Sequence, residues 1–168
     1  MTETISETDS NLILIDELVD YQFHAVEVAK QTSRQLVILS QELDFPVYHQ
    51  ETLYSALIDV AKRDRQSHIS ILVKNIRPLI ERGHWLLKLA RRMPSKVEIR
   101  KLTAEPDNES RAYMIGDGRY LLYKHDDNLY QGFVNYNGAP ESKPLLEEFV
   151  YLWEQHSDNH PSLRQLVL

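Results

Sequence analysis

The sequence predicts an α/β fold: a three-layer α/β/α sandwich whose mixed sheet starts with a parallel β-α-β-α-β run and gains an antiparallel hairpin late in the chain. Three observations carry this reading. The short apolar runs Leu36-Val37-Ile38-Leu39 and Ile69-Ser70-Ile71-Leu72-Val73 alternate with longer stretches of helical periodicity, the order that parallel crossovers require. Lys96–Lys101 alternates as a third strand. Gly116-Asp117-Gly118 then lies between two apolar runs, and Asp-Gly in that setting signals a tight hairpin, because the turn needs positive φ.

Residues 1–15 read as an acidic tail, polar and without structure to about Asn11, and 16–168 as a single domain. A first helix is expected from Asp16, placed to cap it, to about Thr32, with Leu18, Tyr21, Ala25, Val28 and Ala29 at helical spacing. Arg34–Ser40 reads as a strand buried on both faces. Pro46 falls in a loop. A second helix spans about Glu51 to Arg65, with Leu53, Ala56, Leu57, Val60 and Ala61 on one face. His68–Val73 is the second strand.

Pro78 suits the first turn of a third helix, where its missing N–H has no helical partner. That helix is expected to run to Met93, burying Leu79/Ile80, Gly83, Leu86/Leu87 and Ala90, until Pro94 stops it. Lys96–Lys101 alternates in the manner of a strand near a sheet edge. After a loop at Thr103–Asn108 comes the hairpin Glu109–His125, then Tyr130–Tyr136 as a further strand and Asn137–Pro140 as a turn. A last helix covers Ser142–Gln155, with Leu145, Leu146, Phe149, Leu152 and Trp153 as its apolar stripe, and Ser162–Leu168 is apolar enough to dock back.

Composition excludes several classes of chemistry. The 168 residues include no cysteine, so disulfides, thiolate nucleophiles and cysteine-based zinc sites are ruled out. No apolar run approaches a membrane span, and Met1–Ser10 lacks the basic and apolar regions of a signal peptide, so a cytoplasmic protein without membrane contact is expected. The net charge of -6 is unevenly spread. Residues 1–33 carry seven acids against Lys30 alone; residues 62–101 carry twelve bases against Asp64, Glu81 and Glu98; residues 102–168 carry eleven acids against five bases. A basic middle in an acidic chain fits a surface for phosphates or nucleic acid, and it fits equally a solvated face paired within its own fold, the commoner role of charge runs.

The element order and the run Ala112-Tyr113-Met114-Ile115-Gly116-Asp117-Gly118 together resemble one half of a phospholipase D-like fold over roughly Arg34 to His156. More closely still, the match resembles an uncharacterised bacterial family of degenerate domains of that type, some fused to acetyltransferase domains. Asp117 falls on the Asp of the family's His-x-Lys-x4-Asp motif. Counting back puts Ser110 at the catalytic His and Ala112 at the phosphate-binding Lys; counting forward puts Lys124-His125-Asp126-Asp127 at the Gly-Ser-x-Asn. The resemblance thus implies a scaffold that has lost its nucleophile. It also implies a homodimer, since single halves of the family pair to bring two motif copies together, and an acetyltransferase-type partner. The chain itself shows no glycine-rich acetyl-CoA loop, and it calls for no cofactor or metal.

With Asp117-Gly118 at the turn centre, facing residues should have numbers summing to 234 or 235, so Ser110 would face Lys124 or His125. A cation and an imidazole beside the vacated His position make an anion site, and His125 is the one replacement nucleophile on offer. Lys74, Asn75 and Arg77 follow the second strand, where open α/β sheets bind ligands. Arg77, Glu81, His84, Lys88 and Arg91 form one stripe of the next helix, flanked by Arg82 and Arg92. Asn135 and Tyr136 would line a ligand wall or fill a core strand. The candidate anion site is therefore Lys74, Asn75, Arg77, Ser110, Asp117, Lys124, His125 and Asn135, with no catalytic residue assigned. His156 and His160 stand four apart, but Pro161 ends the helix there, and neither a His-Glu-x-x-His cluster nor a phosphate loop at Gly116-x-Gly118 is present. The expected function is a catalytically inactive binding or assembly module for a phosphate-containing ligand. The alternatives are a residual phosphodiesterase using His125 and a nucleic-acid-binding module using residues 62–101.

Overall fold

The structure is a computed structural model that describes residues 12–103 and 110–164. Eight strands form one mixed sheet in the order β1-β7-β6-β5-β2-β3-β4-β8. The strands are β1 (Leu12–Ile15), β2 (Gln35–Ser40), β3 (His68–Val73), β4 (Val97–Leu102), β5 (Ala112–Gly116), β6 (Tyr120–Lys124), β7 (Gly132–Asn135) and β8 (Ser157–Asp158). The helices are α1 (Leu18–Gln31), α2 (Phe45–Tyr48), α3 (Glu51–Arg63), α4 (Arg77–Glu81), α5 (Trp85–Arg92), α6 (Ala139–Gln155) and α7 (Pro161–Arg164). The pairs β2–β3 and β3–β4 are parallel, as the alternating order predicted, and β5, β6, β7 and β1 extend the sheet antiparallel on the other side of β2.

Period-2 alternation divides the core into two layers. From β2, Leu36 and Ile38 join a large core that also takes in Tyr21, Ala25 and Val28 of α1, Leu53 and Leu57 of α3, and Leu86 and Leu89 of α5. Leu39, with Leu72, Tyr113, Ile115 and Leu121, packs instead against Phe149 and Leu152 of α6. Helices therefore cover both faces, giving the predicted sandwich.

Several elements depart from the sequence reading. Residues 12–15, assigned to the acidic tail, form β1 against β7; a four-residue run is too short to show a period, and only Ile15 is buried. Residues 1–11, 104–109 and 165–168 lie outside the described residues, and with them most of the expected loop Thr103–Asn108 and the first residue of the expected hairpin; the part of the last tail that is described does dock, through the buried Leu163. Pro46 stands in the first turn of the short helix α2 rather than in a loop. Helix α1 starts after Glu17, which makes no side-chain cap bond, so Asp16 does not cap it.

The helix expected from Pro78 to Met93 is two helices. Gly83, at φ +63°, breaks it, since that backbone conformation cannot continue a right-handed helix. His84 then starts α5, its Nδ1 accepting from the Leu86 N–H at 3.1 Å while Nε2–H donates to the Leu43 carbonyl at 3.0 Å. It is buried, not on the exposed basic stripe where helical spacing put it. The strand at Tyr130–Tyr136 shortens to Gly132–Asn135, and α6 begins at Ala139, with Pro140 in its first turn.

The hairpin turns through Asp117, Gly118 and Arg119, closed by the Arg119 N–H donating to the Gly116 carbonyl at 3.0 Å. Asp117 and Gly118 both have positive φ, +52° and +70°, the type I′ geometry whose twist matches the flanking strands. Its register is Ala112↔Lys124 through Gly116↔Tyr120, so partners sum to 236 rather than 234 or 235. The turn is centred one residue later than a count from Asp117 assumes, and the shift places Lys124 opposite Ala112 rather than Ser110.

Candidate functional site

The sheet gathers six of the eight candidate residues at one end. Ser40 and Val73 are register partners at the carboxyl ends of β2 and β3. The next residues stay linked, Lys74 N–H donating to the Ser40 carbonyl at 3.2 Å and Asn75 N–H to the Gln41 carbonyl at 2.8 Å. Because β5 runs antiparallel to β2 and β6 to β5, Ser110 and Lys124 come to this end too, with His125 after them. Arg77 joins through its N–H, which the Asn75 Oδ1 accepts at 3.2 Å, while its exposed guanidinium pairs with Glu81 at 2.9 Å.

At the centre of this end is a cluster that sequence reasoning saw only in part. The Lys124 side chain is 0% exposed, its Nζ 2.7 Å from Asp127 Oδ1 and 3.8 Å from Asp44 Oδ1. The ammonium lies 4.7 Å from the ring centroids of both Tyr21 and Tyr130, and donates to the Asp127 carbonyl at 3.2 Å. Asp127 Oδ2 accepts from Ser40 Oγ at 3.0 Å and from the Gln41 N–H at 2.8 Å; Asp44 Oδ2 accepts from Tyr130 Oη at 2.6 Å. Burial pushes the Asp44 carboxyl upward, partly offset by Lys124 and by the Tyr130 hydroxyl. The Tyr21 and Tyr48 hydroxyls beside it are driven well above the ordinary phenol range, first by burial and then by the neighbouring phenol and carboxylates.

Thus Ala112, where the phospholipase D-like resemblance places a motif lysine, has Lys124 as its register partner on the neighbouring strand. The Lys124 ammonium contacts carboxylates of its own chain. Asp44, Asp127, Tyr21, Tyr48 and Ser40 were missed because they come from four separate segments. The one local signal was the i,i+3 spacing of Lys124 and Asp127.

The other two candidates lie toward the opposite end of the sheet. Asp117 turns its carboxylate onto the start of β2: Oδ2 accepts from the Ser33 N–H at 2.7 Å, and Oδ1 from those of Arg34 at 2.9 Å and Gln35 at 3.1 Å. Asn135 is buried on β7, its Oδ1 accepting from the Asn137 N–H at 2.8 Å to shape the turn into α6. His125 is exposed, its ring edge-on to Tyr123 at 4.9 Å.

A family model described as a domain of unknown function, DUF7931, matches residues 17–166. The chain belongs to that family. No curated protein sequence matches it. Solved structures of similar fold include TrmBL2, an archaeal chromatin protein described with a novel mode of DNA binding, at TM-score 0.64 and 13% identity, covering 95% of this chain and 61% of that one. NucT from Helicobacter pylori matches at TM-score 0.61 and 12% identity, over 86% and 95% of the two chains. Phosphatidylserine synthase from Haemophilus influenzae Rd KW20 matches at 0.57 and 12%, over 85% and 37%. The DUF7931 chain therefore spans less than two thirds of TrmBL2 and of the synthase, and its fold is phospholipase D-like.

Half of the basic 62–101 segment of this DUF7931 domain is engaged with its own fold. Arg63 donates to the Thr32 carbonyl, Lys96 to those of Asp64 and Arg65 at 2.8 Å, and Arg91 to that of Ser162 at 2.6 Å. Arg82 stacks 3.7 Å over the Phe45 ring; Arg100 pairs with Glu98 at 2.7 Å and lies 4.3 Å over the Trp153 ring. Arg77, on Glu81, completes six such residues among the segment's twelve bases. Among the described residues no group of three or more His, Asp or Glu side chains could hold a metal ion, and no helix is long and apolar enough to cross a membrane.

The Asp117 clamp has a measurable consequence. Asp117→Ala removes the two oxygens that accept three backbone N–H bonds and places alanine at φ +52°, so urea unfolding should show a loss of about 2–3 kcal/mol. Asp117→Asn, which tolerates that backbone and keeps an acceptor oxygen, should lose less than half as much.

Proposed function

We propose that this DUF7931 domain is a non-catalytic phospholipase D-like module that binds or assembles rather than hydrolyses. One observation supports it above the others: the ammonium facing Ala112 is 0% exposed and bound to Asp127, while the motif His position holds Ser110. A serine without an adjacent base is a weak nucleophile at neutral pH, and a buried, carboxylate-paired ammonium has little charge left for a transferring phosphoryl group. The partners that the resemblance implies, a second copy of the chain and an acetyltransferase-type protein, belong to this reading, as does recognition of a phosphate-containing ligand near Lys74, Asn75 and Ser110.

The test is hydrolysis of bis(p-nitrophenyl) phosphate by purified protein, with His125→Ala in parallel. No turnover above buffer is expected. Turnover that the His125 substitution abolishes would overturn the reading in favour of a residual phosphodiesterase. A second reading, nucleic-acid binding, is favoured by the likeness to the DNA-binding TrmBL2. It predicts DNA or RNA retention that falls steeply with salt, and absence of retention at low salt would dispose of it.

A further inference from the structure

The Asp127 carboxylate sits in a cradle of donors. Ser40 Oγ at 3.0 Å and the Gln41 N–H at 2.8 Å reach Oδ2, and Lys124 Nζ lies 2.7 Å from Oδ1, with the Asp127 side chain 4% exposed. A hydroxyl, a backbone N–H and an ammonium converging on one anion are the donor set that small oxyanions use, and bonds to charged partners are the stronger kind. The cradle stands at the carboxyl end of a parallel strand, where open α/β sheets bind ligands. Its occupant arrives on the turn 125–131 between β6 and β7, held by Asp127 N–H to the Ser110 carbonyl at 2.6 Å and by Leu129 N–H to that of Asp126 at 3.0 Å. Asp44 is the opposing charge, 3.8 Å from the ammonium; burial raises its pKa, against the opposing pull of Lys124 and of the Tyr130 hydroxyl on its other oxygen.

We propose that Ser40 Oγ, the Gln41 N–H and Lys124 Nζ form a phosphate-group cradle that Asp127 fills in cis, so that an external phosphate enters only when this carboxylate is withdrawn. The inference rests on the non-catalytic reading and gives it a ligand class and a mask. Asp127 acts as a built-in competitor: its side chain is tethered beside the donors, so its effective concentration exceeds any ordinary ligand concentration.

Inorganic phosphate is the probe, titrated against wild type, Asp127→Ala and Asp127→Ala/Lys124→Met at constant ionic strength balanced with chloride. Thermal unfolding and calorimetry should show a saturable response in Asp127→Ala, with a Kd of about 1–10 mM. Wild type should show none, and the double variant one at least about tenfold weaker, the cost of one charged hydrogen bond. If Asp127→Ala unfolds in phosphate-free buffer, the same titration reads recovery of folding, since a ligand of the native state drives refolding. A flat phosphate titration in Asp127→Ala, or an equal response in the double variant, overturns the proposal. Either result leaves the absence of phosphodiester turnover standing, whereas turnover by wild type would sink the non-catalytic reading whatever phosphate does.

Discussion

Lys124→Met is expected to destabilise the fold by about 3–5 kcal/mol in urea unfolding, a larger effect than any other substitution proposed for this domain. The ammonium is 0% exposed and stands between Asp127 Oδ1 at 2.7 Å and Asp44 Oδ1 at 3.8 Å. Methionine fills similar volume and keeps the contacts with the Tyr21 and Tyr130 rings, so the loss reports the charge and not a cavity. What remains is a carboxylate 4% exposed with its counter-ion gone, and such a group costs several kcal/mol. The double variant Lys124→Met/Asp127→Asn removes that orphaned charge, while the new amide oxygen still accepts from Ser40 and the Gln41 N–H. It should recover at least half of the loss. Equal stabilities for wild type and Lys124→Met would show that the ion cluster contributes nothing net.

The second large effect is a pH dependence from His84. Burial holds its pKa down from 6.5 to about 4, with His49 and Arg82 nearby adding to the effect and the hydrogen bond to the Leu43 carbonyl opposing it. The unfolded chain therefore binds a proton between pH 6.5 and 4 that the native state refuses. Stability from this group is complete above about pH 6.5 and falls as the pH drops to about 4, by about 3 kcal/mol. Asp44, raised instead of lowered, works in the opposite direction just above its ordinary pKa, so the His84 contribution is read by difference. His84→Asn keeps an oxygen to cap Leu86 but cannot titrate. Its stability profile from pH 7 to 4 should be flatter than that of wild type by that amount, whatever its stability at pH 7. Parallel profiles for the two proteins would rule the effect out.

How much of this was legible in the residues varies with range. The His68–Val73 strand could be placed without error because β-branched and apolar residues there are bounded by polar ones on both sides. The break at Gly83 could not, since helical spacing continues through it, and only the +63° backbone with His84 reaching Leu43 shows that two helices are favoured. The anion-site candidates divide the same way. Lys74, Asn75, Ser110 and Lys124 come to one sheet end because strand order put them there, while Asp117 and Asn135 serve turns toward the other end.

By itself the sequence determined the alternation of strands and helices, the Asp117-Gly118 turn, and the presence of Ser110 and Ala112 where the phospholipase D-like resemblance expects a His and a Lys. Each of these follows from local pattern, from the sterics of positive φ, or from residue identity. Only the tertiary structure decided which ammonium stands opposite Ala112 and which carboxylate it meets. Moving the hairpin partners from a sum of 234 or 235 to 236 changes what Lys124 faces, and Asp44, Ser40 and Tyr21 join it from segments whose meeting depends on sheet order. Cross-strand neighbours are fixed by register, and register is set by the whole sheet.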